Sequence, residues 1–182
     1  MSTELMVLLA AVALGGALNM MLIRYRWPAL LEAPIDGGRY FGDGRRLFGD
    51  NKTWKGFVGM IGTTALATLA ACSLGVLPGR TLFEAGMIGA ALGLAYVAAE
   101  LPNSFVKRRL DIHPGQLCAS NRVRLLQLIV DQADSVLGCI VVLAFTTAYS
   151  LLDLMALAVI AVSVHFSMNI LLYAAGLKRA WT

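Results

Sequence analysis

The most reactive pair in this sequence is Asp131 and Asp134, set inside an otherwise apolar run from Leu125 to Tyr149. At i and i+3 they share one face of a helix, with Cβ atoms about 5–6 Å apart. On a span that begins at Leu125 they lie about 9 to 14 Å deep. An ionised carboxylate costs roughly 2.5–3.5 kcal/mol at the centre of a spanning helix and less near its ends. Two of them side by side also repel. A divalent cation between them removes the repulsion. Mg²⁺ suits the pair, because it takes oxygen ligands and usually needs only one or two carboxylates plus phosphates. The plainer alternative is that each acid is protonated or paired with a base from another helix. Ser135 follows directly and can hydrogen-bond either a ligand or the preceding turn.

Two polar segments could supply the phosphates' partners. The first is Gly49-Asp50-Asn51-Lys52-Thr53-Trp54-Lys55-Gly56, just before an apolar run. Lysines, a hydroxyl and glycines at a helix start suit an anion, since backbone N–H groups and the positive end of the dipole point at it. The same letters also suit an interfacial anchor, with Trp54 at the headgroups and Lys52 and Lys55 as inside charges. The second runs from Glu100 through Asn103, Ser104, Lys107, Arg108 and Arg109 to Asp111, His113 and Pro114-Gly115. Its Lys-Arg-Arg run suits a triphosphate, a lipid phosphate or anionic headgroups. There is no Walker A loop and no GxGxxG fingerprint. Carboxylates on a metal beside bases on phosphates define phosphoryl or nucleotidyl transfer.

The elements that must position these residues are membrane helices. Of 182 residues, 58% are hydrophobic and only 14% charged, against about 25% charged in a soluble domain. The mean hydropathy is +0.72. These values exclude a water-soluble enzyme, a disordered chain and a coiled coil. Five runs are long enough to span a bilayer: Leu5 to Ile23, Phe57 to Leu77, Leu82 to Ala99, Leu125 to Tyr149 and Leu154 to Ala174. The fold expected is an all-α integral membrane protein of five transmembrane helices, a single domain over residues 1–182. Arg24 to Gly56 and Glu100 to Arg124 are then long loops. Every lysine and arginine except Arg80 falls in those loops or in the tail with Lys178 and Arg179. The positive-inside rule places both long loops and the C-terminus in the cytoplasm and the N-terminus outside. The net charge of +4 follows from loop placement and calls for no nucleic acid. Asn19, Glu100, Asp131, Asp134 and Asn169 then all lie in the cytoplasmic half, around one polar cavity. His165, a turn deeper than Asn169, fits an interhelical hydrogen bond better than a catalyst. Gly86, Gly89 and Gly93, like Gly56, Gly59 and Gly62, recur at helical spacing and suit close helix packing. Cys72 and Cys139 fill apolar runs, and no CxxC is present.

The blocks FGDNKTWKG (Phe48 to Gly56), ELPNSFVKRRL (Glu100 to Leu110), Pro114-Gly115 and DQADS (Asp131 to Ser135) resemble the CDP-archaeol synthase family, a short branch of the CTP:phosphatidate cytidylyltransferases. The longer enzymes carry a KKTWEG-like block, then S…KR…PGHGG, then D-R-x-D-S. Here the GHGG element is missing after Pro114-Gly115, and Gln116 to Val130 intervenes before the aspartates. The resemblance implies that CTP and a lipid phosphate give a CDP-lipid and pyrophosphate. It implies that Asp131 and Asp134 hold Mg²⁺ on the triphosphate. Lys107, Arg108 and Lys52 would neutralise phosphate charge. Asn103 and Ser104 would position a phosphate or the cytidine, with Thr53, Arg109 and Glu100 beside them. The expected partners are CTP, an isoprenoid glyceryl-ether phosphate and membrane lipid, in the cell membrane with the site facing the cytoplasm. A diacyl phosphatidate acceptor and a homo-oligomer both stay open.

Two other readings compete. Asp36-Gly37 invites a CDP-alcohol phosphotransferase, but Gly38-Arg39 and the downstream spacing do not fit that pattern. Paired intramembrane acids also serve cation-coupled transporters. A transporter needs polar groups in both membrane halves, and here the outer halves are nearly all apolar.

Overall fold

Short polar side chains set where the helices begin. Ser2, Thr53, Thr81 and Ser150 each accept a hydrogen bond from a backbone amide in the first turn of the helix that follows, which satisfies donors a helix start leaves over. Thr81 and Glu84 complete a reciprocal capping box. The computed structural model describes residues 2–25, 31–118, 120–146 and 149–177. Over these residues it holds α1 (Thr3–Arg24), α2 (Trp54–Ser73), α3 (Leu82–Arg109), α4 (Asn121–Thr146) and α5 (Leu151–Ala174). Each is long and apolar enough to cross a membrane. No strand forms among the described residues, only isolated bridges at Pro34–Thr53 and Tyr40–Arg46. Arg26, Lys178 and Arg179, which entered the charge count, lie outside the described residues.

Of the boundaries that differ from expectation, two matter for the site. The third span does not stop at Ala99. It runs through Pro102 to Arg109, so the expected second loop begins as helix. Proline removes only one ladder bond, and a backbone near the membrane interior has no better state than helix. The basic run Lys107, Arg108 and Arg109 closes this helix, where cations oppose the negative end of its dipole. The fourth span starts at Asn121 rather than Leu125, which leaves a connection of only 110–120.

Helix α2 packs on both α1 and α3, and α3 packs on α4. Glycine makes the closest approaches. A Cβ on Gly93 would sit 2.7 Å from the Met60 carbonyl oxygen and 2.8 Å from the Ile61 Cα. Gly89 and Gly59 are as crowded, whereas Gly62 faces open space. A Cβ on Gly138 of α4, which showed no spacing pattern, would sit 2.5 Å from the Ala95 carbonyl oxygen. At one end of the bundle Leu5, Leu8, Leu77, Leu92, Leu143 and Leu157 form a buried apolar cluster. Arg80 and Glu4 pair at 2.9 Å beside it. The opposite end carries the basic residues and stays polar.

The segment 31–53 folds over that polar end around Asp36. Its side chain is fully buried and accepts from Arg46 Nη2 at 2.8 Å and from the amides of Gly38, Phe48 and Gly49 at 3.0, 3.1 and 3.3 Å. Burial alone raises the Asp36 carboxyl, but these donors outweigh it and hold it below the usual range.

Candidate active site

Because α3 continues past Ala99, its polar residues fall at i, i+3, i+4, i+7 and i+8. Glu100, Asn103, Ser104, Lys107 and Arg108 therefore form one stripe. Helix α4 answers with Gln127, Asp131, Asp134 and Ser135. The stripes interlock. Asn103 Nδ2 donates to Asp131 Oδ1 and Asp134 Oδ2, both at 2.7 Å. Lys107 Nζ lies 2.5 Å from Asp131 Oδ1. The Ser135 hydroxyl reaches Glu100 Oε1 at 3.0 Å and Asp134 Oδ1 at 3.1 Å. Lys52 of the folded segment pairs with the other Glu100 oxygen. The carboxylates are thus each matched by a donor or a base, as partly buried charges require.

Apart from the fully buried Ser135, these groups line the polar end of one cavity of about 1060 Å³. Asn103, Ser104, Lys107, Arg108, Asp131, Asp134, Glu100, Lys52 and Thr53 all face it. Arg108 is the least satisfied of them. Its residue is buried, yet Nε and Nη1 have no hydrogen-bond partner. A buried guanidinium without a partner is expensive, and its planar fork matches a phosphate. Thr53 is committed in part, since its hydroxyl caps α2 by accepting from Gly56 at 3.2 Å. The start of α2 faces the cavity with Asn51, Thr53 and Gly56.

Arg109 lies apart from Lys107 and Arg108 and does not line the cavity. One position along a helix turns a side chain about 100° away. Arg109 Nη2 donates to the Arg46 carbonyl at 2.6 Å, and Nε lies 2.8 Å from Asp43. Its guanidinium sits over the Phe105 and Phe41 rings at 4.5 and 5.2 Å. Arg109 fastens the 31–53 segment to the end of α3. Asp36, the residue that invited a phosphotransferase comparison, is likewise spent inside that segment.

The cavity also has lining residues to which the sequence pattern assigned no individual role. Arg24, Asn51, His113 and Gln116 are among them. Gln127 braces the 110–120 connection, accepting from the Cys118 amide and donating to the Gln116 carbonyl, both at 2.9 Å. Its signal was its place four residues before Asp131 on the same helix face. Asn19 donates to the Gly56 carbonyl at 3.1 Å, tying α1 to the start of α2. His165 is an interhelical bridge, 3.0 Å from the Tyr96 hydroxyl and 3.2 Å from the Gln132 carbonyl.

Among the described residues no cluster of three or more His, Cys, Asp or Glu could hold a metal ion. Asp131 and Asp134 converge on a single donor, the Asn103 amide. Two hard oxygens aimed at one point suit Mg²⁺, which takes its remaining ligands from substrate phosphates and water.

Residues 31–182 match the family model described as CarS-like: CDP-archaeol synthase. A CDP-archaeol synthase of Thermococcus onnurineus is 34% identical over 80% of this chain and 80% of its own. Those of Thermofilum pendens and Methanococcus aeolicus are each 31% identical, over 86% and 82% of this chain and 68% and 83% of theirs. A solved structure, described as an intramembrane enzyme for archaeal membrane lipid biosynthesis, superposes with a TM-score of 0.64 at 26% identity, covering 90% of this chain and 91% of the other.

Proposed function

This chain belongs to the CDP-archaeol synthase family of CTP-dependent cytidylyltransferases, and from that premise we propose that it joins CMP from CTP to an isoprenoid glyceryl-ether phosphate at the polar end of the cavity, releasing pyrophosphate. The observation that carries the site assignment is the convergence of Asp131 and Asp134 in the same cavity lining as Arg108, whose buried Nε and Nη1 have no partner. An acid pair alone would suit an ion pathway. An acid pair that shares a cavity with an unpartnered guanidinium suits a polyphosphate.

The acceptor's phosphate oxygen attacks the α-phosphorus of CTP in line, and pyrophosphate leaves. A phosphomonoester is largely doubly ionised at neutral pH, its second pKa being about 6, so no side chain need act as a general base. Arg108 holds phosphate charge in a bidentate manner. Lys107 and Lys52, now on Asp131 and Glu100, are within side-chain reach of the same space and share the charge. Asn103 and Ser104 orient the phosphates. Mg²⁺ held by Asp131 and Asp134 would supply charge neutralisation on the triphosphate. Catalysis rests on positioning and fixed charge. The apolar part of the cavity, with Leu8, Val12, Leu143 and Leu157, takes the chains.

The charge distribution supports a site open to the cytoplasm in the cell membrane, with the whole chain as one catalytic unit. Its closed opposite end, an apolar cluster beside the Arg80–Glu4 pair, favours an enzyme over a transporter. The test is transfer from labelled CTP by purified protein with Mg²⁺, offered an isoprenoid glyceryl-ether phosphate and phosphatidic acid. A labelled CDP-lipid, formed faster from the ether, is the expected result. Preference for phosphatidic acid would overturn the acceptor, and no product from either would overturn the assignment.

A further inference from the structure

The transfer brings two anions together, and one base that lines the cavity has no part in it so far. Lys52, Lys107 and Arg108 reach the cavity from the segment before α2 and from the end of α3. Lys52 and Lys107 pair with Glu100 and Asp131, and Arg108 is fitted to the polyphosphate. A second phosphate pushed against the first with no base of its own is repelled. The remaining lysine or arginine in the lining is Arg24, in the last turn of α1. It is exposed, and among the described residues no hydrogen bond or ion pair takes up its side chain.

The helix before it sets where Arg24 stands. Leu9, Ala13, Gly16 and Met20 line the cavity from α1, at steps of four, three and four residues, which is one face of a helix. Arg24 is the next step of four, so this apolar wall ends on a cation. Its level is fixed by α2, which runs antiparallel to α1. Thr63 Oγ1 donates to the Gly15 carbonyl at 2.8 Å and Asn19 Nδ2 to the Gly56 carbonyl at 3.1 Å, and a Cβ on Gly56 would lie 3.7 Å from Ile23 Cδ1. The residue after Ile23 is therefore level with those before Gly56, among them Lys52 and Thr53 of the cavity lining. Lys52 leads through Glu100 and Ser135 to Asp134. Arg24 thus tops an apolar stripe at the polar end of the cavity, which is the pattern of a lipid phosphate: chains along a wall and a dianion at their end.

We propose that Arg24 binds the phosphate of the lipid acceptor, while Lys52, Lys107 and Arg108 serve CTP. The guanidinium fork takes two of the three free phosphate oxygens. The third forms the new bond to the α-phosphorus of CTP as the bond to pyrophosphate breaks. The assignment rests on the cytidylyltransferase reading and adds to it which base serves which substrate. The plainer roles of Arg24 are an inside charge and a cation on the C-terminal end of the α1 dipole, and neither acts on affinity for the acceptor.

The experiment measures two constants in the full-length protein in mixed micelles, for the parent, Arg24→Gln and Arg24→Lys. One is the KM for a glyceryl-ether phosphate, varied as its mole fraction in the micelle. The other is the KM for CTP. Arg24→Gln is expected to raise the acceptor KM about tenfold or more, the size of a charge-assisted contact, and to leave the KM for CTP within about twofold. Arg24→Lys keeps the charge without the fork, and a smaller rise in the acceptor KM alone is expected. It reads the same split should Arg24→Gln insert poorly. An acceptor KM unchanged in the variants overturns the assignment and returns Arg24 to topology. A KM for CTP that rises as far as the acceptor's also overturns it, because the residue then serves the nucleotide or the packing. Absence of any CDP-lipid in the parent would overturn the enzyme reading instead, so the two failures are separable.

Discussion

Asp134 shares one amide donor, Asn103, with Asp131, and its second oxygen faces the Ser135 hydroxyl. Asp134→Asn keeps the size and loses the charge. CDP-lipid formation is expected to fall by about 100-fold or more, the scale of losing fixed charge at a developing centre, while membrane insertion and yield stay normal. Survival of activity with the same Mg²⁺ dependence would remove Asp134 from the metal assignment. Arg108 makes the complementary prediction. Arg108→Ala should raise the KM for CTP about tenfold or more, as expected for losing a charge-assisted phosphate contact. Arg108→Lys should recover only part, because an ammonium cannot fork. Lack of any effect on CTP would return the residue to a topological role. The neighbouring Arg109 shows what letters alone do not tell. Three consecutive bases look equivalent in the sequence, and only the helix phase sends two to the cavity and one to Phe41, Phe105 and Asp43.

Among the elements, α3 decides the site. Its passage through Pro102 turns an expected loop into an aligned stripe, and the 31–53 segment is fastened against its end. That segment depends on Asp36. The unfolded carboxyl titrates near about 3.9 and the folded one lower. The stabilisation is therefore complete above that range and is lost as the pH falls through the folded value. Protease sensitivity of residues 31–53 is expected to be flat from neutral pH down to about 5 and to rise only below about 4. Asp36→Asn should show raised sensitivity at neutral pH, with a loss of about 1–3 kcal/mol as buried amides and Arg46 lose an acceptor. Equal sensitivity of variant and parent at pH 7 would show that other contacts hold the segment.

For the whole molecule, the bundle has a closed apolar end and an open basic one, and the proposed orientation puts the basic end in the cytoplasm. In a background without Cys72, Cys118 and Cys139, Arg39→Cys should be shielded from an impermeant thiol reagent in intact cells, and Pro78→Cys should label. The reverse pattern would invert the topology. The sequence by itself determined the number of spans, the segregation of charge to one end and the pairing of the aspartates. Each of these follows from local terms: transfer of apolar length into lipid, the cost of moving a base across it, and the 3.6-residue period. Tertiary structure decided which side chains meet. Tyr96 and His165 lie on different helices, and no spacing rule relates them. Gly138 earned its close contact from the shape of α3, not from a repeat. Arg108 keeps two buried nitrogens unpartnered, while Asn103 and Lys107 on the same stripe are spent on the aspartates. A lone side chain's worth at a site is set by what the other helices leave for it, and that is fixed only when they pack.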